Sequence, residues 1–439
     1  MIQFSVKLFL QAEDTFSFRS LLLYGTIYLL HNIITQQSYL SDAPTENYGS
    51  DPSGWYCFFD NGIWITEIYM TEQIGILLYV LPISKNIIIL SDSTFFLHIG
   101  IQKTGSTTIQ QILQQNIKEL EKEKIKYLGR LPVLARKIRV MEEHDPAIIH
   151  TLRQQIKEEM GDESFSGNYI LSNEKFAGDK MVGYKNTPVI AETVFKALEP
   201  LDVNVKIIVF LRRQDDFLES TYAQRIYSGS TLTFEEFFKN FDTSHFHWDE
   251  LVDSYADYFG PSNVIVHRYD QNFLPHKDSL INLFGDSVGS SFLKNYSETK
   301  IHNSGFIRDT LEIERIANNY LDKQEKKYLR DLLRKVGSKD LYEKYSFFNI
   351  SQRKEFLNNY MESNARVACK YLQDKSGTLF SPLKPGEYYI SPYEGLTADK
   401  AVLHLTRAIL ESRSEQVAKN SDKRQNHSYL KRFIRKLLR

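Results

Sequence analysis

The sequence predicts an α/β fold with three layers, in which a central parallel sheet is covered by helices on both faces. Four short apolar runs, at residues 95–99, 169–171, 206–211 and 264–267, have the length of buried strands. Helical stretches separate them, and strands that alternate with helices favour a parallel sheet. In such a fold the ligand lies at the carboxyl ends of the strands, so the residues after each strand are the functional candidates.

The first strand leads into a tight turn that opens a helix. Apolar residues recur at helical spacing from Ile109 to Leu120, directly after the turn. The first-turn amides of a helix lack intrahelical partners, and the helix dipole places positive charge there. The sequence therefore predicts a site for phosphate, or a group shaped like it, made by Lys103, Thr104, Gly105, Ser106, Thr107 and Thr108.

The turn departs from the usual nucleotide triphosphate loop. Gly100 and Gly105 have the glycine spacing of G-x-x-x-x-G-K-[ST], but Ser106 stands where that loop has its lysine. The lysine of this turn, Lys103, comes earlier, before the second glycine. This departure counts against a P-loop kinase or NTPase, which stays as one alternative. A non-catalytic nucleotide-binding protein is the other.

The turn resembles the 5′-phosphosulfate loop of the sulfotransferases that use 3′-phosphoadenosine 5′-phosphosulfate (PAPS). In that family a lysine, a small residue, a glycine and two hydroxyl residues close over the sulfonate donor, and residues 103–107 match that run. The resemblance spans residues 94–284 and is strongest to divergent bacterial-type members that act on carbohydrates. It implies a P-loop-like fold, PAPS as co-substrate, a glycan or glycolipid acceptor, and no metal.

The resemblance also implies a 3′-phosphate site after the third predicted strand. There the family has an arginine and, eight residues later, a serine, which Arg212 and Ser220 match. A guanidinium makes planar bidentate contacts to phosphate, and a hydroxyl adds a directional hydrogen bond. Arg213 is the competing candidate because spacing alone does not separate adjacent arginines. Tyr269, at the end of the fourth strand, matches a family tyrosine that lies near the adenine.

A general base has to take the proton of the acceptor. The family places it between the two phosphate motifs, where the second predicted strand is followed by Glu174; we predict Glu174 as the base, with Ser172 assisting at the donor. Lys103 is predicted to be catalytic because its positive charge would stabilise the negative charge that develops on the leaving oxygen. His98 is predicted to be a packed strand residue. The alternative bases are His245 and His247, in a loop whose Phe246 and Trp248 are predicted to rim the acceptor site.

Composition and charge restrict the partners. The 439 residues carry a net charge of −1, so the whole chain has no electrostatic footprint for nucleic acid. Two distant cysteines, Cys57 and Cys369, give no disulfide framework and favour a reducing, cytoplasmic location.

Three segments are predicted along the chain. Residues 1–91 are an aromatic-rich extension that we expect to be poorly ordered, with a membrane anchor over residues 17–34 as the alternative. Residues 92–395 form the sulfotransferase domain. Residues 396–439 are a helical tail with a basic, amphipathic end, for which contact with a membrane surface is the alternative to a solvated helix.

Overall fold

The structure is a computed structural model that describes residues 93–161, 165–201, 203–270, 279–297, 308–337, 346–383 and 395–418, and the backbone of four short strands before them. The chain divides into two units, Met1–Ile89 and Leu90–Arg439. In the first unit, β1 (Cys57–Phe59) pairs antiparallel with β2 (Gly62–Trp64), and β3 (Glu67–Met70) pairs antiparallel with β4 (Ile76–Tyr79).

A five-stranded parallel sheet is the centre of the second unit, so the predicted α/β fold is confirmed. The strand order is β6-β7-β5-β8-β9, which places β5 in the middle between β7 and β8. All four predicted strands are present. The edge strand β6 is missing from the prediction because three residues beside charged neighbours give no apolar run. The strands are β5 (Thr94–Gly100), β6 (Ile125–Tyr127), β7 (Asn168–Ser172), β8 (Asn204–Leu211) and β9 (Val264–Arg268).

The alternating side chains of β5 divide the core into two layers. Phe95, Leu97 and Ile99 pack into the larger apolar cluster, whereas Phe96 packs into the smaller one on the opposite face. The smaller cluster is covered by α1 (Ser106–Gln115), α2 (Ile117–Lys122), α9 (Ser279–Val288) and α10 (Ser291–Lys294).

Most of the remaining helices cover the larger cluster. Short 3₁₀ segments also interrupt the chain at Glu174–Ala177, Lys180–Val182, Glu199–Leu201 and Pro261–Asn263. The helices are α3 (Pro132–Arg139), α4 (Pro146–Met160), α5 (Thr187–Leu198), α6 (Gln214–Tyr227), α7 (Phe234–Lys239), α8 (Trp248–Phe259), α11 (Arg308–Ala317), α12 (Lys323–Gly337), α13 (Ile350–Asn358) and α14 (Met361–Leu372).

The last described helix, α15 (Ala398–Ala418), packs on α12 through a buried contact between Ala408 and Leu332. The basic end of the predicted tail, residues 431–439, lies outside the described residues, as does most of the predicted extension at residues 1–91. No helix in the described part of the chain has both the length and the apolar character that a membrane crossing requires.

Candidate active site

The turn between β5 and α1 is shaped by its own hydroxyl groups. Thr104 Oγ1 donates to the Ile101 carbonyl at 2.7 Å, and Ser106 Oγ donates to the same carbonyl at 3.3 Å. Lys103 adopts a positive φ of 68°, which turns the chain back towards the helix. Helix α1 then begins without a side-chain cap; the Thr108 amide donates to the Gly105 carbonyl at 2.9 Å, and the amides of Ser106 and Thr107 keep the capacity to bind an anion.

Gly105 is the residue at which this turn requires glycine. Its φ is 81°, in the left-handed region that favours glycine. A Cβ built at Gly105 would lie 2.4 Å from Leu280 Cδ2 and 3.5 Å from Tyr269 Cε2. The turn is therefore packed closely against the end of β9 and against α9, and a side chain at this position would require Leu280 to move.

Arg212 lies directly on the lysine turn. Its Nη1 donates to the Lys103 carbonyl at 2.9 Å, across 109 positions of sequence. The guanidinium carbon lies 5.6 Å from the centroid of the Tyr269 ring, within the range of a cation–π contact. Arg212, Tyr269 and the turn thus meet because β8 is the neighbour of both β5 and β9.

Lys103 lies near a second cation, Arg212. Burial, and then the charge of the nearby Arg212 guanidinium, lower the pKa of Lys103 to about 8. Two cations held this close repel each other, so an anion between them would be favoured.

Arg213, the competing candidate, is committed elsewhere. Its guanidinium donates to both carboxylate oxygens of Asp215, at 2.7 and 3.1 Å, and to the Ser381 carbonyl at 3.0 Å. Burial raises the pKa of Asp215, but Arg213 and Arg353 outweigh that effect and lower it to about 2. Arg213 therefore belongs to a buried ionic network, whereas Arg212 faces the turn. Ser220 is buried two turns into α6.

Glu174, the predicted base, follows β7 and lies against the start of the turn. A Cβ built at Gly100 would lie 2.9 Å from Glu174 Cβ. Gln110, on α1, donates through Nε2 to Glu174 Oε2 at 3.1 Å and to the Ser172 carbonyl at 3.2 Å. The helix that opens at the anion turn thus holds the carboxylate of the predicted base.

Ser172, two residues before Glu174, forms a buried pair with His98. Ser172 Oγ lies 2.8 Å from His98 Nδ1 and accepts a long hydrogen bond of 3.4 Å from Gln110. Burial, and then the charge of His267, lower the pKa of His98 to about 3. His98 is therefore neutral and packed, between Phe210 and Phe284.

One prediction is wrong for the loop that carries the alternative bases, His245 and His247. Phe246 and Trp248 were expected to rim the acceptor site, but both are fully buried and stack on each other in the larger core cluster. Apolar rings of this size stabilise the fold most when they are removed from water. His247 packs against Tyr360, and His245 is exposed beside Gly183.

Two polar residues near the site were missed by the sequence reasoning. Gln110 lies in the helical stripe after the turn, where an amide gives no motif. Lys180 lies beyond the predicted base; burial lowers its pKa to about 8, and the charge of Lys103 acts in the same direction. Its Nζ donates to Gln224 Oε1 at 2.6 Å. Within the described ranges, no group of three or more His, Cys, Asp or Glu residues has a metal-binding arrangement.

Comparison with known proteins identifies the family of this region. Residues 94–274 match the family model of the sulfotransferase domain. These residues form a sulfotransferase-family domain. The sulfotransferase resemblance is thereby confirmed over β5 to β9, which include every site residue discussed above.

Two other proteins are similar to parts of this chain. It is 27% identical over 196 residues to an uncharacterized protein of Archaeoglobus fulgidus, an alignment that covers 43% of this chain and 52% of that protein. The chain thus spans about half the length of this curated relative. A sulfotransferase crystal structure from Alicyclobacillus acidocaldarius aligns over 54% of this chain and 92% of its own, with a TM-score of 0.32 and 16% identity.

Proposed function

We propose that this chain transfers a sulfonate group from PAPS to a hydroxyl or amine of a glycan or glycolipid. The observation that carries the proposal is the hydrogen bond from Arg212 to the Lys103 carbonyl. It joins two cationic elements at adjacent strand ends of a sulfotransferase-family domain. One adenosine with phosphate on both sides of its ribose needs two such elements next to each other.

The donor would be held by both elements. Residues 103–108 would bind the 5′-phosphosulfate through the first-turn amides of α1 and the lysine. Arg212 and Ser220 would bind the 3′-phosphate, and Tyr269 would contact the nucleoside between them. The contacts of Arg213 with Asp215 and Ser381 support Arg212 rather than Arg213 for this role.

The chemistry assigned to the chain is proton removal and charge stabilisation. Glu174 would accept the proton of the acceptor hydroxyl as the acceptor oxygen bonds to sulfur, and Gln110 would keep the carboxylate in place. The bond from sulfur to the bridging oxygen breaks, and its electron pair leaves with the 5′-phosphate. Lys103 would stabilise this negative charge, which is largest in the transition state. Ser172 would support this geometry through its contacts with Gln110 and His98.

A transfer assay tests the proposal. The purified chain is incubated with PAPS and a panel of glycans, and the release of 3′,5′-adenosine bisphosphate is measured with sulfonated product by mass spectrometry. We expect Lys103→Ala to abolish transfer while bisphosphate affinity stays within about tenfold, which is one charge-assisted hydrogen bond. Lys118→Ala, an exposed lysine of the next helix, is the matched control and should keep full activity.

Two results would overturn the proposal in favour of the alternatives. Magnesium-dependent ATP hydrolysis without thermal stabilisation by the bisphosphate would indicate a P-loop kinase or NTPase. Bisphosphate binding that survives Lys103→Ala and Glu174→Ala, with no sulfonated product from any glycan, would indicate a non-catalytic nucleotide-binding protein.

A further inference from the structure

Basic residues surround the segment that carries Glu174. Asn173 Nδ2 donates to the Arg130 carbonyl, and Asn186 Nδ2 donates to the Arg139 carbonyl at 2.7 Å. These bonds tie the backbone on both sides of α3 to the region just after β7. The charges of Arg130, Arg136 and Arg139 act on Lys175, and that of Arg139 also acts on Lys180. These five residues are here called the basic rim.

The basic rim has little compensating negative charge from the protein. Arg139 Nε lies 4.0 Å from Asp179 Oδ2, the limit of an ion pair. In the described part of the chain, no carboxylate lies within that distance of the other four members. Arg130 and Arg136 are exposed, and the other three are half-buried. The rim is therefore open to an external anion.

The charges of the rim act on one another. Burial lowers the pKa of Lys175; Glu174 opposes that effect, while Arg136, Arg130 and Arg139 reinforce it. The pKa of Lys180 is likewise lowered by burial, Lys103 and Arg139, while Asp179 opposes them. Like charges held together on a folded surface repel, and an anion that binds among them relieves the repulsion.

Apart from Lys180, which reaches Gln224 on α6, the sheet order separates the rim from the proposed nucleoside site. Arg130 follows β6 and Lys175 follows β7, on one side of β5, whereas Arg212 and Tyr269 follow β8 and β9 on its other side. The lysine turn lies between the two sides, at the end of β5. The rim thus adjoins the proposed base and the sulfonate position rather than the adenosine, so its anion would belong to the acceptor.

We infer that the acceptor is an acidic glycan, with a carboxylate or sulfate group near the hydroxyl or amine that receives the sulfonate, and that the basic rim binds this anionic group. The inference rests on the proposed function because it takes Glu174 and the lysine turn as the transfer site. It adds the chemical class of the acceptor, which the motifs do not specify.

Transfer to three glycans of equal length tests the inference: a neutral glycan, one that contains uronic acid, and one that is already sulfated but lacks uronic acid. We expect an acidic glycan to be preferred, with KM rising with salt, and the two acidic substrates distinguish carboxylate from sulfate recognition. The double variant Arg130→Ala/Arg136→Ala should raise KM for the preferred glycan about tenfold or more, with kcat and bisphosphate affinity changed less than about threefold.

Lys137→Ala is the matched control. Lys137 is exposed on the same helix, one residue after Arg136, and therefore points about 100° away around the helix axis. The KM of the Lys137→Ala variant for the preferred glycan should equal that of the unmodified protein. A neutral glycan used as well as the acidic ones, or an equal loss for all three in the double variant, would overturn the inference.

Calorimetry of the same glycans with the bisphosphate-saturated protein gives a second readout that does not need turnover. Acidic glycans should bind, and the double variant should weaken that binding about tenfold or more while Lys137→Ala leaves it unchanged. Failure of the bisphosphate to bind would count against the proposed function. Failure of acidic glycans to bind, with the bisphosphate bound, would count against the rim alone.

Discussion

Arg212 Nη1 donates to the backbone carbonyl of Lys103 at 2.9 Å. The bond uses one arm of the guanidinium to fix the lysine turn, while the ring of Tyr269 supports the guanidinium from another side. The remaining donors of Arg212 are directed by these two contacts. The pair therefore couples the ends of β5 and β8, and a ligand that spans them meets a site already assembled.

Replacement of Arg212 should lower ligand affinity, whereas replacement of Arg213 should lower the stability of the fold. We expect Arg212→Ala to weaken bisphosphate binding by about 1.5–3 kcal/mol, the value of a lost charged hydrogen bond, with little loss of stability. Arg213→Ala should instead destabilise the fold by about 1–3 kcal/mol, because Asp215 loses a buried partner and keeps Arg353. Calorimetry and urea unfolding measure the two effects, and the reverse pattern would contradict the assignment.

A methyl group at Gly105 should disrupt the anion turn. Gly105→Ala adds strain from the positive φ of about 1–2 kcal/mol and requires the Leu280 side chain to move, so we expect bisphosphate binding to weaken about tenfold. Gly289→Ala is the control, since Gly289 has a similar φ of 70° with nothing within 4 Å. It should lose a comparable amount of stability from strain while the bisphosphate still binds; normal binding by Gly105→Ala would rule out the close packing described here.

The lowered pKa of Lys103 predicts proton uptake on donor binding. In the free protein Lys103 loses its proton as the pH rises through about 8, and a bound anion shifts the pKa upwards again. At about pH 9, where phosphate is fully ionised, bisphosphate binding should therefore take up protons, and affinity should fall as the pH rises. Titration calorimetry in two buffers of different ionisation enthalpy measures the uptake.

Lys103→Met is the variant for this pH test. It should reduce the uptake, leaving the part that Lys180 contributes through its own pKa of about 8. Lys118→Ala should leave the uptake unchanged. Uptake that is the same in Lys103→Met and in the unmodified protein would show that other groups titrate.

Gln110 should act through Glu174. We expect Glu174→Ala to lower kcat about 10²–10⁴-fold, the usual contribution of a general base. Gln110→Ala should lower kcat less, and the double variant should be no slower than Glu174→Ala, since the amide acts through the carboxylate. Steady-state kinetics of the four proteins give the coupling, and additive losses would show that Gln110 has an independent role.

Local patterns gave the strands and the turn, whereas contacts between distant segments did not follow from them. The apolar runs that became β5, β7, β8 and β9 are visible because strands buried on both faces are apolar along their length. The prediction for Phe246 and Trp248 was wrong because the sequence pattern of an aromatic residue in a loop is the same whether its ring lines a site or packs in the core. Gln110 carried no signal, because its role depends on a partner 64 residues away.

The sequence by itself determined the fold class, the lysine turn at the end of the first strand and the family of residues 94–274, since each is written in a short contiguous run. Only the tertiary structure placed Arg212 on the lysine turn and Arg213 in a buried ionic network, joined Gln110 to Glu174 and brought the members of the basic rim together. Adjacent side chains of the same charge leave the backbone in different directions, and the order of strands in the sheet sets which neighbours each of them meets.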